Sequence, residues 1–121
     1  MNKNMSQKQI TIKDIQKWER DFCKKKGINF DEKEQMRIAL LKLMEETGET
    51  AKAVLEKKWD EILAEVADVI VFACKVANVA EDNHTKDRLE EVMKRKLDYC
   101  GERTYNAKIR KFDKPKSSEF K

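Results

Sequence analysis

The 121-residue chain is 41% charged and 7% aromatic, with three glycines and one proline. That size fits one domain, or one domain with a short tail, and the scarcity of turn residues excludes an all-β fold, which needs a turn signal every ~8–12 residues. The net charge of +4 is local: residues 1–100 carry 20 basic and 20 acidic side chains, whereas residues 101–121 carry seven and three.

Such a basic end reads as a solvated tail, and nucleic acid is not the expected partner. The three cysteines, Cys23, Cys74 and Cys100, have no CxxC spacing and indicate neither a disulfide framework nor a zinc site. No signal-peptide core precedes Gln9, and the longest apolar run, Val69 to Cys74, is far below the ~20 residues of a membrane span. A soluble, cytoplasmic protein with no membrane contact is expected.

The hydrophobic periodicity predicts four helices. The first spans about 11–26, with Thr11 and Asp14 approximating a capping box and Gly27 as its stop. The second spans about 32–57, with Asp31 as N-cap and an apolar face of Met36, Leu40, Leu43, Thr47, Ala51 and Val54. The third spans about 60–80 and is apolar enough to be buried all round. The fourth spans about 85–100 and stops at Gly101. Short connections make sequential helices antiparallel neighbours, so the expectation is an all-α, antiparallel four-helix bundle over residues 1–105, followed by a flexible basic tail over 106–121.

On the second helix Glu45, Glu46 and Glu49 share a face with Lys42. Alone, that EExxE pattern describes many solvated acidic faces. The third helix carries Glu65 and Asp68, three residues apart in an otherwise apolar run. A buried ionised carboxylate costs several kcal/mol unless it is paired or binds a metal. Salt bridges to Lys42 or Lys96 would explain the pair, as would a metal pocket shared with the three glutamates across an antiparallel helix pair. All-oxygen donors suit magnesium, manganese or calcium, and the single histidine, His84, rules against a Glu-x-x-His di-iron bundle. Lys96 falls within the inward stripe of the fourth helix, with Tyr99 on its edge, and is placed for a phosphate oxygen. Arg103 and Tyr105 lie just beyond Gly101, where they could close over a ligand. Phe72, one turn after Asp68, is positioned to pack on a base, although a Phe at such spacing is most often simply core. Trp18, Phe30 and Trp59 are further candidates for pocket walls, with nothing to indicate which base they would take.

The motif Glu45-Glu46-Thr47-Gly48-Glu49, followed after fifteen residues by Glu65-Val66-Ala67-Asp68, resembles that of the MazG-like all-α nucleotide pyrophosphohydrolases. The resemblance covers about residues 35–106 and includes the segments LMEETGETAKAV, AEVADVIVFACKVAN and KLDYCGERTYN. It implies magnesium-dependent hydrolysis of a nucleoside or deoxynucleoside triphosphate to monophosphate and pyrophosphate, with manganese as a substitute. Carried over, Glu46, Glu49, Glu65 and Asp68 are metal ligands, and Glu45 and Glu46 are the catalytic carboxylates, Glu45 serving either as ligand or as base. Lys42, Phe72, Lys96, Tyr99, Arg103 and Tyr105 are the substrate-binding candidates. The resemblance also implies a homodimer or homotetramer. Phosphoribosyl-ATP pyrophosphohydrolases share similar acid motifs and form one alternative. A non-catalytic helical module using its basic tail is another, and it leaves Glu65 and Asp68 unexplained.

Overall fold

The computed structural model describes residues 9–114; the polar residues 1–8 and the final stretch of the expected basic tail, 115–121, lie outside the described residues. Four helices form: α1 (Ile12–Lys25), α2 (Glu32–Leu55), α3 (Trp59–Asn83) and α4 (Leu89–Gly101). Two short strands, β1 (Tyr105–Asn106) and β2 (Lys111–Phe112), follow them. Among the described residues the chain is all-α apart from this hairpin, as expected, and it divides between residues 86 and 87 into two compact units, the first with α1 to α3 and the second with α4 and the hairpin.

Local chemistry explains where the helices of the first unit begin and end. The Thr11 hydroxyl accepts from the Asp14 N–H at 3.1 Å while the Asp14 carboxylate accepts from the Thr11 N–H at 2.9 Å, completing the capping box. Asp31 caps α2 by accepting from the Glu34 N–H at 2.9 Å. Both α1 and α2 end in paired Schellman bonds: Ile28 N–H to the Cys23 carbonyl and Gly27 N–H to that of Lys24, then Lys58 N–H to Ala53 and Lys57 N–H to Val54. The left-handed residue is Gly27 (φ 68°) in the first case and Lys57 (φ 57°) in the second. That reversal at Lys57 turns the chain within three residues, so α3 starts directly against the end of α2. It is a tight hairpin of two long helices.

α2 and α3 pack antiparallel. Glu46 lies near Glu65 and Asp68, and nearer the turn Ala53 shares a cleft with Glu61. The contact face of α2 is centred on Ala39 and Ala53, both buried, flanked by half-buried Met36, Leu43, Glu46 and Thr50. This is rotated by roughly 60° from the apolar stripe read in the sequence. Leu40 and Val54 are therefore 50% and 47% exposed, and Glu46 has moved onto the interface. The all-round burial expected of α3 is not found either: Leu63 is 79% and Ile70 44% exposed. An apolar helix surface need not be covered by its own chain, and here α1 and α2 cover only part of it.

α1 is fixed to the C-terminal half of α3 by a polar network, which sequence reading missed. Asn78 donates to Glu19 Oε1 at 2.7 Å and to the Gln16 carbonyl at 3.0 Å, and Gln16 Nε2 donates to Asn78 Oδ1 at 2.9 Å and to Glu81 at 2.7 Å. Lys75 Nζ pairs with Glu19 Oε2 at 3.1 Å, with the two side chains 11% and 8% exposed. Arg20 adds Glu81 and Asp82 at the rim. Burial by itself would push the Glu19 carboxyl up, but hydrogen bonds from Cys23, Asn78 and Lys75, together with the Lys75 charge, hold it below the usual range.

In the second unit β1 and β2 pair antiparallel, Tyr105 opposite Phe112 and Asn106 opposite Lys111. Arg103 secures the hairpin by donating to the carbonyls of Asp113 and Phe112, each at 3.1 Å. This hairpin gives order to residues 105–112, where the sequence has only weak periodicity.

A group whose carboxyl is depressed on folding contributes stability that is present above its unfolded value and lost as pH falls through the folded one. The α1–α3 contact is therefore expected to weaken as pH drops below the usual glutamate range. Glu19→Ala, which strands Lys75, is expected to cost about 3–5 kcal/mol by urea denaturation at neutral pH. A loss within 1 kcal/mol would show that the network is not what holds α1 in place.

Candidate active site

The antiparallel pairing of α2 and α3 brings one oxygen each from Glu46, Glu65 and Asp68 within 4.8 Å of one another. Glu46 reaches them because it lies on the interface stripe, two turns before Ala53. Glu65 and Asp68 are three apart on α3 and so project side by side. Glu46 and Glu65 are half-buried and Asp68 is exposed. The pair on α3 is thus less buried than its apolar setting suggests.

No lysine or arginine forms an ion pair with any of these three acids among the described residues. The Glu46 carboxyl is consequently pushed up, first by desolvation, then by its hydrogen bond with Glu65 and by the negative charges of Asp68, Glu65 and Glu45. The salt-bridge explanation fails for Lys42, whose ammonium lies 3.2 Å from Glu45 instead. Glu49 stands one turn further along α2 and lines a small polar cleft of about 60 Å³ with Glu65 and Glu61. Of the five acids singled out in the sequence, three converge, Glu49 adjoins Glu65, and Glu45 is turned toward Lys42.

A cavity of about 400 Å³ opens beside Asp68. Trp18 and Phe22 of α1, Phe30 of the connector, Ile38 of α2 and Val71 and Phe72 of α3 form its apolar wall. The rings of Trp18 and Phe22 are stacked, 5.0 Å between centroids and 16° from parallel. Lys42 and Asp68 stand on its lining, as do Glu19, Cys23 and Lys75 of the α1–α3 network. Phe72, Trp18 and Phe30 thus meet in one cavity, whereas Trp59 is absent from its wall and 66% exposed.

The second unit gathers the other sequence candidates. Lys96 Nζ and the Arg103 guanidinium lie over the Tyr99 ring at 5.5 and 5.8 Å, and Arg103 also lies 5.5 Å from the Phe112 ring. Tyr105 packs on Phe112 with centroids 4.9 Å apart. Lys96, Tyr99, Arg103 and Tyr105 therefore form one cation–aromatic cluster within that unit.

Residues 34–106, which contain both acid motifs, match the family model described as the MazG nucleotide pyrophosphohydrolase domain. The chain belongs to the MazG family. A MazG domain is a nucleotide pyrophosphohydrolase domain, and the three converging acids lie within it. No curated protein and no solved structure is significantly similar to the chain. α1 precedes the matched segment, so the cavity is built partly from the MazG domain and partly from residues outside it.

The residues suit a divalent cation. Three carboxylate oxygens with no ion-pair partner among the described residues, no nitrogen or sulfur among them and one carboxyl driven up by burial and its neighbours, form a donor set for a hard metal ion. No helix among the described residues is long and apolar enough to cross a membrane.

Glu19, Gln16, Lys75 and Asn78 are the residues sequence reasoning passed over. Their signal was present: Lys75 and Asn78 are the only residues outside the small or apolar class between Val69 and Ala80, three apart on one face of α3.

A carboxyl raised on folding binds more protons in the native state, so metal-free stability falls as pH climbs from the usual glutamate range through the raised value. Glu46→Gln is expected to remove that decline and to leave the metal-free protein as stable as the parent or more so. Melting curves with and without magnesium test this: the parent is expected to gain stability with the ion and Glu46→Gln to gain little. Marked destabilisation of the variant without metal would contradict the repulsion described.

Proposed function

We propose that the protein hydrolyses nucleoside triphosphates, ribose or deoxyribose, to the monophosphate and pyrophosphate, using magnesium held by Glu46, Glu65 and Asp68 with Glu49 alongside. Manganese, equally an oxygen-seeking ion, is the expected substitute. The observation that carries this reading is the convergence of three unpaired carboxylates from α2 and α3 within 4.8 Å, beside an aromatic-walled cavity of about 400 Å³. The matched MazG domain supplies the general activity.

When bound, the metal offsets phosphate charge and makes a water easier to deprotonate. The remaining chemistry falls to the chain's own groups. Water adds to the α-phosphorus, pyrophosphate leaves, and a carboxylate of the Glu45–Glu46 pair takes up the water's proton. Lys42, on the cavity lining next to Asp68, offers an ammonium to a phosphate oxygen and balances Glu45 at 3.2 Å in the meantime. The apolar wall excludes water from the nucleoside.

The same reading includes self-association. Met44 and Leu55 of α2 and Trp59 and Leu63 of α3 are 63–82% exposed, large apolar side chains that the helical hairpin leaves uncovered. A second copy of the chain would bury them and enlarge a core in which, among the described residues, no large side chain is fully enclosed.

Incubation with magnesium and a panel of NTPs and dNTPs is expected to release pyrophosphate and NMP in equal amounts. Glu65→Gln and Asp68→Asn should each lower kcat at least about 100-fold. Release of orthophosphate instead, or no release by folded protein, would remove the proposal. Light scattering should report a dimer or larger, and Leu63→Glu should shift it toward monomer; a monomeric parent at micromolar concentration would refute self-association.

A further inference from the structure

We propose that Lys75, held in place by Glu19, reads the base of the bound nucleotide and selects bases with a carbonyl at purine C6 or pyrimidine C4 over those with an amino group there. This inference rests on the nucleotide reading above.

Apart from the Cys23 thiol and the Gln35 amide, which donates to the Phe30 carbonyl at 2.6 Å, the polar groups of the cavity lining stand at two places. One is the Lys42–Asp68 end, beside the carboxylate cluster, and the other is the Glu19–Lys75 pair. Asp68, Phe72 and Lys75 follow one another at four- and three-residue steps along one face of α3. At 1.5 Å per residue Lys75 stands roughly 10 Å from Asp68 along the helix axis. That separation matches a nucleoside monophosphate measured from its phosphate to the far edge of its base. A nucleotide with its α-phosphate at the acids would thus lay its ribose and base along Phe72 and the stacked Trp18–Phe22 pair, and its base edge would meet Lys75.

What Lys75 offers there follows from its existing bonds. An ammonium has three N–H groups and no acceptor. One goes to Glu19 Oε2 and one to Cys23 Sγ, both at 3.1 Å. The third has no protein partner among the described residues. Glu19 is itself fixed by Asn78 at 2.7 Å and by the Cys23 thiol at 2.8 Å, so its carboxylate is committed to holding Lys75 in position. A fixed cationic donor on a half-apolar cavity calls for an acceptor. A carbonyl at C6 or C4 supplies one, whereas an exocyclic amino group there would set donor against donor and leave that third N–H unsatisfied. Glu19 is therefore a positioning residue and Lys75 a specificity residue. The α1 side of this device lies outside the segment matched by the MazG family model, so it is a feature of this chain rather than of the matched domain alone.

The test uses two base pairs that differ chiefly in that one group: inosine against adenosine monophosphate, and uridine against cytidine monophosphate. Calorimetric titration of the full chain with magnesium present is expected to give at least about tenfold tighter binding of the carbonyl-bearing member of each pair, the size of one charge-assisted hydrogen bond. The variant is Glu19→Gln with Lys75→Met, which removes both charges and leaves neither buried alone. In it both ratios are expected to fall to near one while circular dichroism and melting remain those of a folded protein. Equal affinities in the parent, no binding of any of the four at millimolar concentration, or ratios that persist in the folded variant would overturn the inference. If the variant does not fold, the parent's ratios decide. Triphosphate turnover with ratios of one would sink this inference and spare the hydrolase; intact ratios without turnover would do the reverse.

Discussion

Carboxylates brought within a few ångströms of one another repel, and the helical hairpin of α2 and α3 has to hold three of them together. The repulsion is offset by backbone geometry rather than by counter-charge. Ala39 and Ala53 let the two helices approach closely, the reversal at Lys57 sets their register, and Glu46 is carried onto the contact stripe opposite Glu65 and Asp68. A salt bridge at this place would relieve the strain and fill the position a cation could occupy. Lys42, the nearest candidate on α2, is engaged by Glu45 instead. The cluster is thus kept negative and poised, and the proton affinity of Glu46 is raised by its burial and by its acidic neighbours.

The α1–α3 contact solves the opposite problem. There the charges are paired and hydrogen-bonded almost to saturation, with Glu19, Lys75, Asn78 and Gln16 all at least half enclosed. Buried pairs of this kind contribute little net stability compared with apolar packing, but they specify one arrangement. They fix the angle at which Trp18 and Phe22 present their rings to the cavity. One unit therefore contains an acidic cluster without counter-charge and a charge-paired polar network, joined by an apolar cavity wall.

Much of this was legible in the sequence. Caps at Thr11 and Asp31, the stop at Gly27 and the pairing of Glu65 with Asp68 could all be read from residue type and spacing, because each depends on neighbours within one helical turn. The rotation of α2 could not. Its wheel offers two apolar stripes, and the choice between Leu40 with Val54 and Ala39 with Ala53 depends on how closely α3 approaches, a tertiary fact in which small residues outrank large ones. Lys75 and Asn78 were overlooked for a related reason: a few polar residues in an apolar helix gain meaning only once Gln16 and Glu19, about sixty positions away, are known to face them. The hairpin at 105–112 rests on Arg103 reaching backbone carbonyls, which leaves no periodic trace.

The turn at 56–58 has a consequence for how such a chain can change in length. Glu46 and Glu65 meet because each lies a set number of residues from that reversal, and an inserted residue in either arm would swing everything beyond it by roughly 100° around the helix axis. Lengthening one arm alone slides the acids apart. The two arms can grow together only by about a turn each, so the stretch between the two acidic motifs behaves as a ruler graduated in steps of roughly seven residues. Variation in this part of the molecule is quantised by helix geometry, whereas the segments beyond the acids are under no such restriction.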